Sequence, residues 1–246
     1  MEPVTVWWAS LARWSAPAPD AAPDPGRDAA RAALAGLLDP DERARRARYL
    51  RDADRDRFTL GVAITRVVAG RRSGLPPERV AITRRCPDCD EPHGPPVVDG
   101  GPHVSVSHSG DLVAVAVSPY GPLGVDVEED SGRVNEDIGR HLLASDEAAA
   151  SPSGLLAYWT RKEALVKATR DGLRVPLGDL HVSAPHEPPR LRSWDGRPDL
   201  PARIAMRTLD AAPGHAACLA LLDHPGGVPV QERDAEEILR DVTGRP

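Results

Sequence analysis

Aromatic side chains are scarce in this chain, with one Phe, three Tyr and five Trp among 246 residues, so each Trp stands out. Long apolar runs are missing too. The longest are about half a dozen residues, against ~20 for a helix that spans a bilayer, which argues against a membrane span. Cysteine is limited to three; an odd number cannot all pair within the chain, which argues against a disulfide framework and fits a reducing cytosol. The first ten residues (MEPVTVWWAS) hold no basic side chain and do not read as a secretory signal, so a cytoplasmic location is expected. Positive charge is in deficit. The formal net charge of −6 argues against non-specific affinity for nucleic acid. Lysine is scarce, while arginine and alanine are abundant.

What is plentiful is punctuation. There are 26 Pro and 21 Gly, which implies many loops and turns around a modest core. A 41% apolar content is too high for general disorder. The length suits one large domain or two small ones.

Residues 3–8 (PVTVWW) read as a strand, and 16–26 as a Pro/Ala loop. A helix is expected over Asp28–Leu38. Asp39-Pro40 then opens a second, with Asp39 as cap and Asp41 and Glu42 favouring the dipole. That helix carries Arg43, Arg45, Arg46, Arg48 and Arg51. Phe58, Val62, Thr65, Val68 and Ala69 mark a third helix over 54–69, stopped by Gly74-Leu75-Pro76-Pro77. A short strand at 80–83 precedes a loop over 85–102. The clearest hairpin follows: His103–His108, a Ser109-Gly110-Asp111 turn, and Leu112–Val117. Leu123–Glu128 alternates apolar and acidic residues as a strand. Ser145-Asp146-Glu147 is expected to start a helix, and Leu155–Arg170 is the strongest helical segment. Strands are expected at 179–183, 203–208 and 216–222, and a short helix at 232–241.

Each half shows a long helix, a Gly-Leu pair (Gly74-Leu75, Gly172-Leu173), a proline and a strand. The expected fold is α+β, in two related halves, residues 1–120 and 121–246, with a ligand cleft between them.

Several constellations could carry chemistry. Asp126 and Glu128 lie two apart on a strand, on one face and about 6.6 Å apart, which suits a hard cation but also an exposed acidic edge. Gly124 lets another chain approach closely. Trp159, Glu163 and Lys167 fall at i, i+4 and i+8 on one side of a helix, as a metal- and phosphate-facing set or as a surface Glu–Lys pair. Ser105–Ser109 (SVSHS) places His108 and hydroxyls at a turn, where an anion can be held. Nucleophilic catalysis by a Ser/His pair is disfavoured there, because neighbours on a strand point apart and no Gly-x-Ser-x-Gly elbow exists. The arginine helix could bind phosphate or pair with Asp52, Asp54 and Asp56. Cys86-x2-Cys89-x3-His93 offers three local ligands where a structural zinc needs four. Cys218 sits in an apolar strand and reads as core.

Together these pieces resemble the Sfp-type 4′-phosphopantetheinyl transferases. The family's Gly-x-Asp-x-Glu motif is Gly124-Val125-Asp126-Val127-Glu128. Its Trp-x-x-Lys-Glu-Ala motif with a following Lys is Trp159-Thr160-Arg161-Lys162-Glu163-Ala164 with Lys167. Ser107-His108-Ser109 matches a Ser-His-Ser strand, and Arg45 through Tyr49 with Arg57 matches a basic helix followed by an aromatic residue and an Arg. The resemblance spans about residues 40–185, with the late strand at 217–222 extending it.

The resemblance implies two pseudo-symmetric halves, each a small antiparallel sheet packed on a long helix, with coenzyme A between them. It implies Mg²⁺-dependent transfer of 4′-phosphopantetheine from coenzyme A to a serine of an apo acyl or peptidyl carrier protein. Such enzymes activate polyketide, fatty-acid or non-ribosomal peptide synthases. It implies Asp126, Glu128 and Glu163 converging on one metal ion, Glu163 and Lys167 as catalytic residues, and Arg45, Arg57, Ser107, His108, Asp126 and Lys167 as coenzyme A contacts. A monomer is expected, with no nucleic acid or membrane partner. Three positions depart from the family pattern. The usual Asn two residues before Ser107-His108 is Ser105. The usual Gly-Lys/Arg-Pro element reads Gly94-Pro95-Pro96 and so lacks its cation. A basic position at the start of the arginine helix is Glu42. A non-catalytic coenzyme A or carrier-protein binding module, and a metal-dependent nucleotide pyrophosphate hydrolase, are the competing readings.

Overall fold

The computed structural model describes residues 1–14, 24–86, 89, 91, 94–132 and 136–244. The expected Pro/Ala loop falls largely outside these residues, and so does His93. Strand β1 (Val4–Ser10) leads into a short α1 (Leu11–Trp14), and the helices α2 (Pro25–Gly36), α3 (Pro40–Ala47) and α4 (Asp52–Ser73) follow. Short strands β2 (Ile82–Thr83) and β3 (Val97–Val98) precede the hairpin β4 (His103–Ser109) and β5 (Leu112–Ser118), then β6 (Leu123–Glu129). Helices α5 (Glu136–Leu142) and α6 (Pro152–Thr169) come next. They are followed by β7 (Leu180–Val182), β8 (Leu191–Trp194), α7 (Leu200–Arg203), β9 (Ile204–Thr208), β10 (His215–Leu222), β11 (Val230–Asp234) and α8 (Glu236–Thr243). The class is α+β, as expected.

Strand period explains the layering. The main sheets run β11-β1-β5-β4 and β6-β10-β9. On β5, Val113, Val115 and Val117 pack with α4 residues such as Leu60, Ile64 and Val67. The alternate Leu112, Ala114 and Ala116 face Leu123, Val125, Val127, Leu219 and Leu221 of the second sheet. The far side of that sheet gives Cys218 and Ala220 to a cluster with Ala164, Leu165 and Ala168 of α6. The order of layers is α4, first sheet, second sheet, α6.

Local chemistry explains the helix ends. Asp39 and Glu42 form a full capping box, with Pro40 in the first turn. Helix α2 starts before the expected residue because Asp24 accepts from Arg27 N. Helix α4 continues to Ser73 and stops at left-handed Gly74, φ 70°. Helix α6 ends at Arg170, ahead of the expected Gly172.

Two expectations need correction. No helix starts at Ser145. Glu147 instead turns inward, where Oε2 accepts from fully buried Lys162 Nζ (2.5 Å) and Ala144 N (2.8 Å), while Oε1 accepts from Val182 N (2.7 Å). Lys162 also donates to Leu142 O (2.6 Å) and Leu177 O (3.0 Å), which anchors α6 to α5 and to the loop after α6. The tail, expected to be wholly helical from 232, begins as β11, which runs parallel to β1 with Val4 opposite Val230. The first sheet therefore gains a parallel edge strand beside its antiparallel ones. The expected loop over 85–102 also contains β3, paired with β2.

Helix α6 rests directly on β6 at Gly124. A Cβ there would stand 2.0 Å from Ala164 O and 2.5 Å from Ala168 N, so even a methyl group forces strand and helix apart. Gly124→Ala is expected to lose about 2 kcal/mol or more of stability, read as a lower urea midpoint; an unchanged midpoint would contradict this packing.

Candidate active site

A cavity of about 590 Å³ opens between α4, the exposed side of β4, β6 and α6, a size suited to a nucleotide-bearing ligand. Its floor depends on how β4 meets β6. The two strands belong to different sheets and are joined by side chains. Ser105, Ser107 and Ser109 lie on one face of β4, and their hydroxyls accept from Val125 N (3.1 Å), Val127 N (3.3 Å) and Glu129 N (3.1 Å) of β6. Period-two hydroxyls thus replace a backbone ladder. Ser105, which departs from the family pattern, is its first rung.

The same hydroxyls orient the acidic side chains. Ser107 donates to Asp126 Oδ1 (2.8 Å) and Ser109 to Glu128 Oε2 (2.6 Å). Lys167 Nζ reaches across from α6 to Asp126 Oδ1 (2.6 Å), Ser107 Oγ (3.0 Å) and Val125 O (3.2 Å). That fills the one donor and two acceptor sites of Ser107. Asp126 is almost wholly buried, and its Oδ2 has no hydrogen-bond partner among the described residues.

Trp159, Glu163 and Lys167 line one wall of the cavity, as the helical spacing predicts. Burial raises the pKa of Glu163, and the charges of Asp126 and Glu128 raise it further against the pull of Lys167. Burial and Asp126 also raise Glu128, opposed by hydrogen bonds from Ser109 and Trp159. These three carboxylates feel one another. Even so, among the described residues no three His, Cys, Asp or Glu side chains are gathered closely enough to hold a metal ion. The convergence expected from the motifs is therefore partial. Asp126 and Glu128 each take local donors instead.

His108 faces the other side of β4 from the serines. Enclosure by the cavity walls, then the nearby Arg57 guanidinium, depresses its pKa, so at neutral pH it is an uncharged donor or acceptor. Arg57 donates to Gly110 O (2.8 Å) and pairs with Asp54 (2.7 Å). Arg45 stands over the Phe58 ring, 5.6 Å from its centroid, and that ring packs against Tyr49. Glu42 faces Arg66, not the cavity, at 2.8 Å in a buried pair. Arg84, which sequence reasoning passed over, also lines the cavity; nothing in its local sequence beyond the neighbouring Arg85 marks it. Among the described residues no disulfide joins Cys86, Cys89 or Cys218, and burial pushes Cys218 up to about 12.

The family model for the 4′-phosphopantetheinyl transferase superfamily matches residues 122–219, a span that contains β6, α6 and the first part of β10. The chain is 30% identical over 177 residues to the 4′-phosphopantetheinyl transferase HetI of Nostoc sp., covering 65% of this chain and 71% of that protein. The chain belongs to the 4′-phosphopantetheinyl transferase superfamily. It is an enzyme of that family, and the transferase is also similar to gsp of Aneurinibacillus migulanus, a 4′-phosphopantetheinyl transferase. That match is 26% identical over 143 residues, 55% of this chain and 57% of the relative. A putative 4′-phosphopantetheinyl transferase of Synechocystis sp. is 29% identical over 164 residues, 61% of this chain and 63% of the relative. Among the transferase's described residues, no helix is long and apolar enough to cross a membrane.

Because the folded state raises the pKa of Glu163 above its ordinary 4.5, ionising this carboxyl opposes folding. The penalty is absent below the unfolded pKa and grows as pH rises through the folded one. Glu163→Gln is therefore expected to raise the melting temperature at pH 8 by about 2 °C, a gain that fades toward pH 4. Calorimetry across that range tests this, and a gain independent of pH would contradict it.

Proposed function

We propose that this transferase moves 4′-phosphopantetheine from coenzyme A to a serine hydroxyl of an apo acyl or peptidyl carrier protein, with Mg²⁺ as its metal. In the same reading it serves polyketide, fatty-acid or non-ribosomal peptide synthases, with nucleotide contacts from residues 1–120 and the metal-facing groups from 121–246. The observation that carries the proposal is the meeting of opposite charges in one cavity. Asp126, Glu128 and Glu163 line it together with Lys167, Arg45 and Arg84. A pyrophosphate cannot approach three carboxylates without a compensating cation. Hard oxygen donors and the orphaned Asp126 Oδ2 suit a small divalent ion, which Asp126, Glu128 and Glu163 would hold on closing around it. When bound, such an ion neutralises the carboxylates and polarises the pyrophosphate.

The chain's own groups do the rest. Lys167 carries a positive charge that faces the phosphates, and His108 donates a ring N–H to a phosphate oxygen. Glu163 is the carboxylate that α6 brings to the cavity wall. It accepts the proton of the carrier serine as the new O–P bond forms. The bond from the β-phosphorus to the leaving oxygen breaks, and adenosine 3′,5′-bisphosphate departs. Catalysis of this kind rests on positioning and charge neutralisation.

Incubation with coenzyme A, Mg²⁺ and an apo carrier protein, followed by intact mass, is expected to show a phosphopantetheine adduct on the carrier. Asp126→Ala is expected to abolish it, and Lys167→Ala to slow it about a hundredfold or more. Nucleotide release without an adduct would indicate a hydrolase, and neither product a binding module. Either result would overturn the proposal.

A further inference from the structure

We infer that Arg170, the residue that ends α6, is a further coenzyme A-binding residue, whose guanidinium takes the diphosphate beside Lys167. The inference rests on coenzyme A as co-substrate and adds a residue that neither the motifs nor the helical spacing single out.

The first sign is backbone cost. Among the described residues, three helices stop at a left-handed residue: α4 at Gly74 (φ 70°), α8 at Gly244 (φ 63°) and α6 at Arg170 (φ 62°). Glycine adopts this conformation freely, whereas a Cβ there crowds the backbone. Arginine at 170 therefore costs stability that glycine would not. The charge does not serve the helix end in compensation. The last carbonyls of a helix favour a nearby cation, but Lys167 already stands in the last turn without strain.

The second sign is the place of the side chain. Arg170 is exposed and lines the main cavity with Val166 and Lys167. Among the described residues its guanidinium makes no hydrogen bond or ion pair. Asp171, the acid beside it in the chain, pairs instead with Arg197 at 3.2 Å. Burial first, and then the charge of Arg170, hold the pKa of His103 below its ordinary value, so the guanidinium stands near the start of β4.

Lys167 and Arg170 set two cations along one wall, three residues and about 4.5 Å of helix rise apart. The other arginines of the cavity, Arg45, Arg57 and Arg84, come from α3, α4 and the segment after β2. Lys167 is a point charge engaged with Asp126 at 2.6 Å, whereas Arg170 offers an unused planar fork. A diphosphate carries two adjacent anionic groups. With one beside Lys167, the other falls to Arg170, which takes two of its oxygens at once.

The test measures binding of coenzyme A and of 3′-dephospho-coenzyme A by titration calorimetry in wild type, Arg170→Gly and Arg170→Lys, with the melting temperature of each. Arg170→Gly is expected to melt about 2 °C higher, because the strain is gone, and yet to bind both ligands about tenfold more weakly. Arg170→Lys is expected to recover part of that loss, as a point charge without the fork. NMR titration of His103 gives a readout apart from affinity. Coenzyme A is expected to raise the His103 pKa in wild type, because the diphosphate offsets the Arg170 charge, and to raise it less in Arg170→Gly. Unchanged affinity in Arg170→Gly would leave Arg170 a helix-end cation only, and a loss confined to coenzyme A would assign it to the ribose phosphate. Either result overturns the inference, as does a lower melting temperature in Arg170→Gly. Should wild type bind coenzyme A but transfer nothing to a carrier, the proposed function falls, and the binding comparison still decides the role of Arg170.

Discussion

Three serine hydroxyls that accept the backbone N–H groups of a strand in another sheet hold the site together. A backbone ladder between β4 and β6 would satisfy the same donors but leave the side chains of β6 unguided. The hydroxyl ladder does both. Each rung takes an N–H of β6, and two rungs donate onward to Asp126 and Glu128. The position of the acidic pair is therefore tied to the joint between the two sheets, and a shift of one residue would turn every carboxylate to the apolar face.

The second constraint is the contact of α6 with β6. Gly124 removes the side chain that would separate them, and Lys167 then spans the gap to Asp126. The chain has only two lysines, Lys162 and Lys167, and both sit on α6. Lys162 is wholly buried and holds the helix to Glu147, while Lys167 is part-exposed to the cavity. One fixes the helix and the other faces the cavity. Concentrating three carboxylates here works against folding, as the raised pKa values of Glu128 and Glu163 indicate. Such local cost is common where binding has to supply the missing charge.

Much of this was legible in the sequence wherever a short repeat carried the information. The hairpin of β4 and β5, the capped start of α3, and the shared face of Trp159, Glu163 and Lys167 follow from periods of two and 3.6 residues. Features that depend on distant partners were not legible. Glu147 reads locally as the start of a helix, but its partner Lys162 draws it into the core. Residues 232–234 read locally as the start of a helix, but the pairing of Val230–Asp234 with β1 makes them strand. Glu42 reads as a missing cation until Arg66 is seen beside it. The serine spacing at 105, 107 and 109 was visible in the sequence, yet its purpose needs β6 alongside.

On the proposed reading, the serine ladder presents the carboxylates of β6, which together with Glu163 of α6 would hold one divalent cation next to coenzyme A. Titration with Mn²⁺ in the presence of coenzyme A, followed by electron paramagnetic resonance of the free ion, tests it most directly. The account predicts one bound Mn²⁺ per wild-type chain, weaker binding by about tenfold in Ser107→Ala, and none in Asp126→Asn. Absence of binding in wild type, or binding that Asp126→Asn leaves intact, would contradict it.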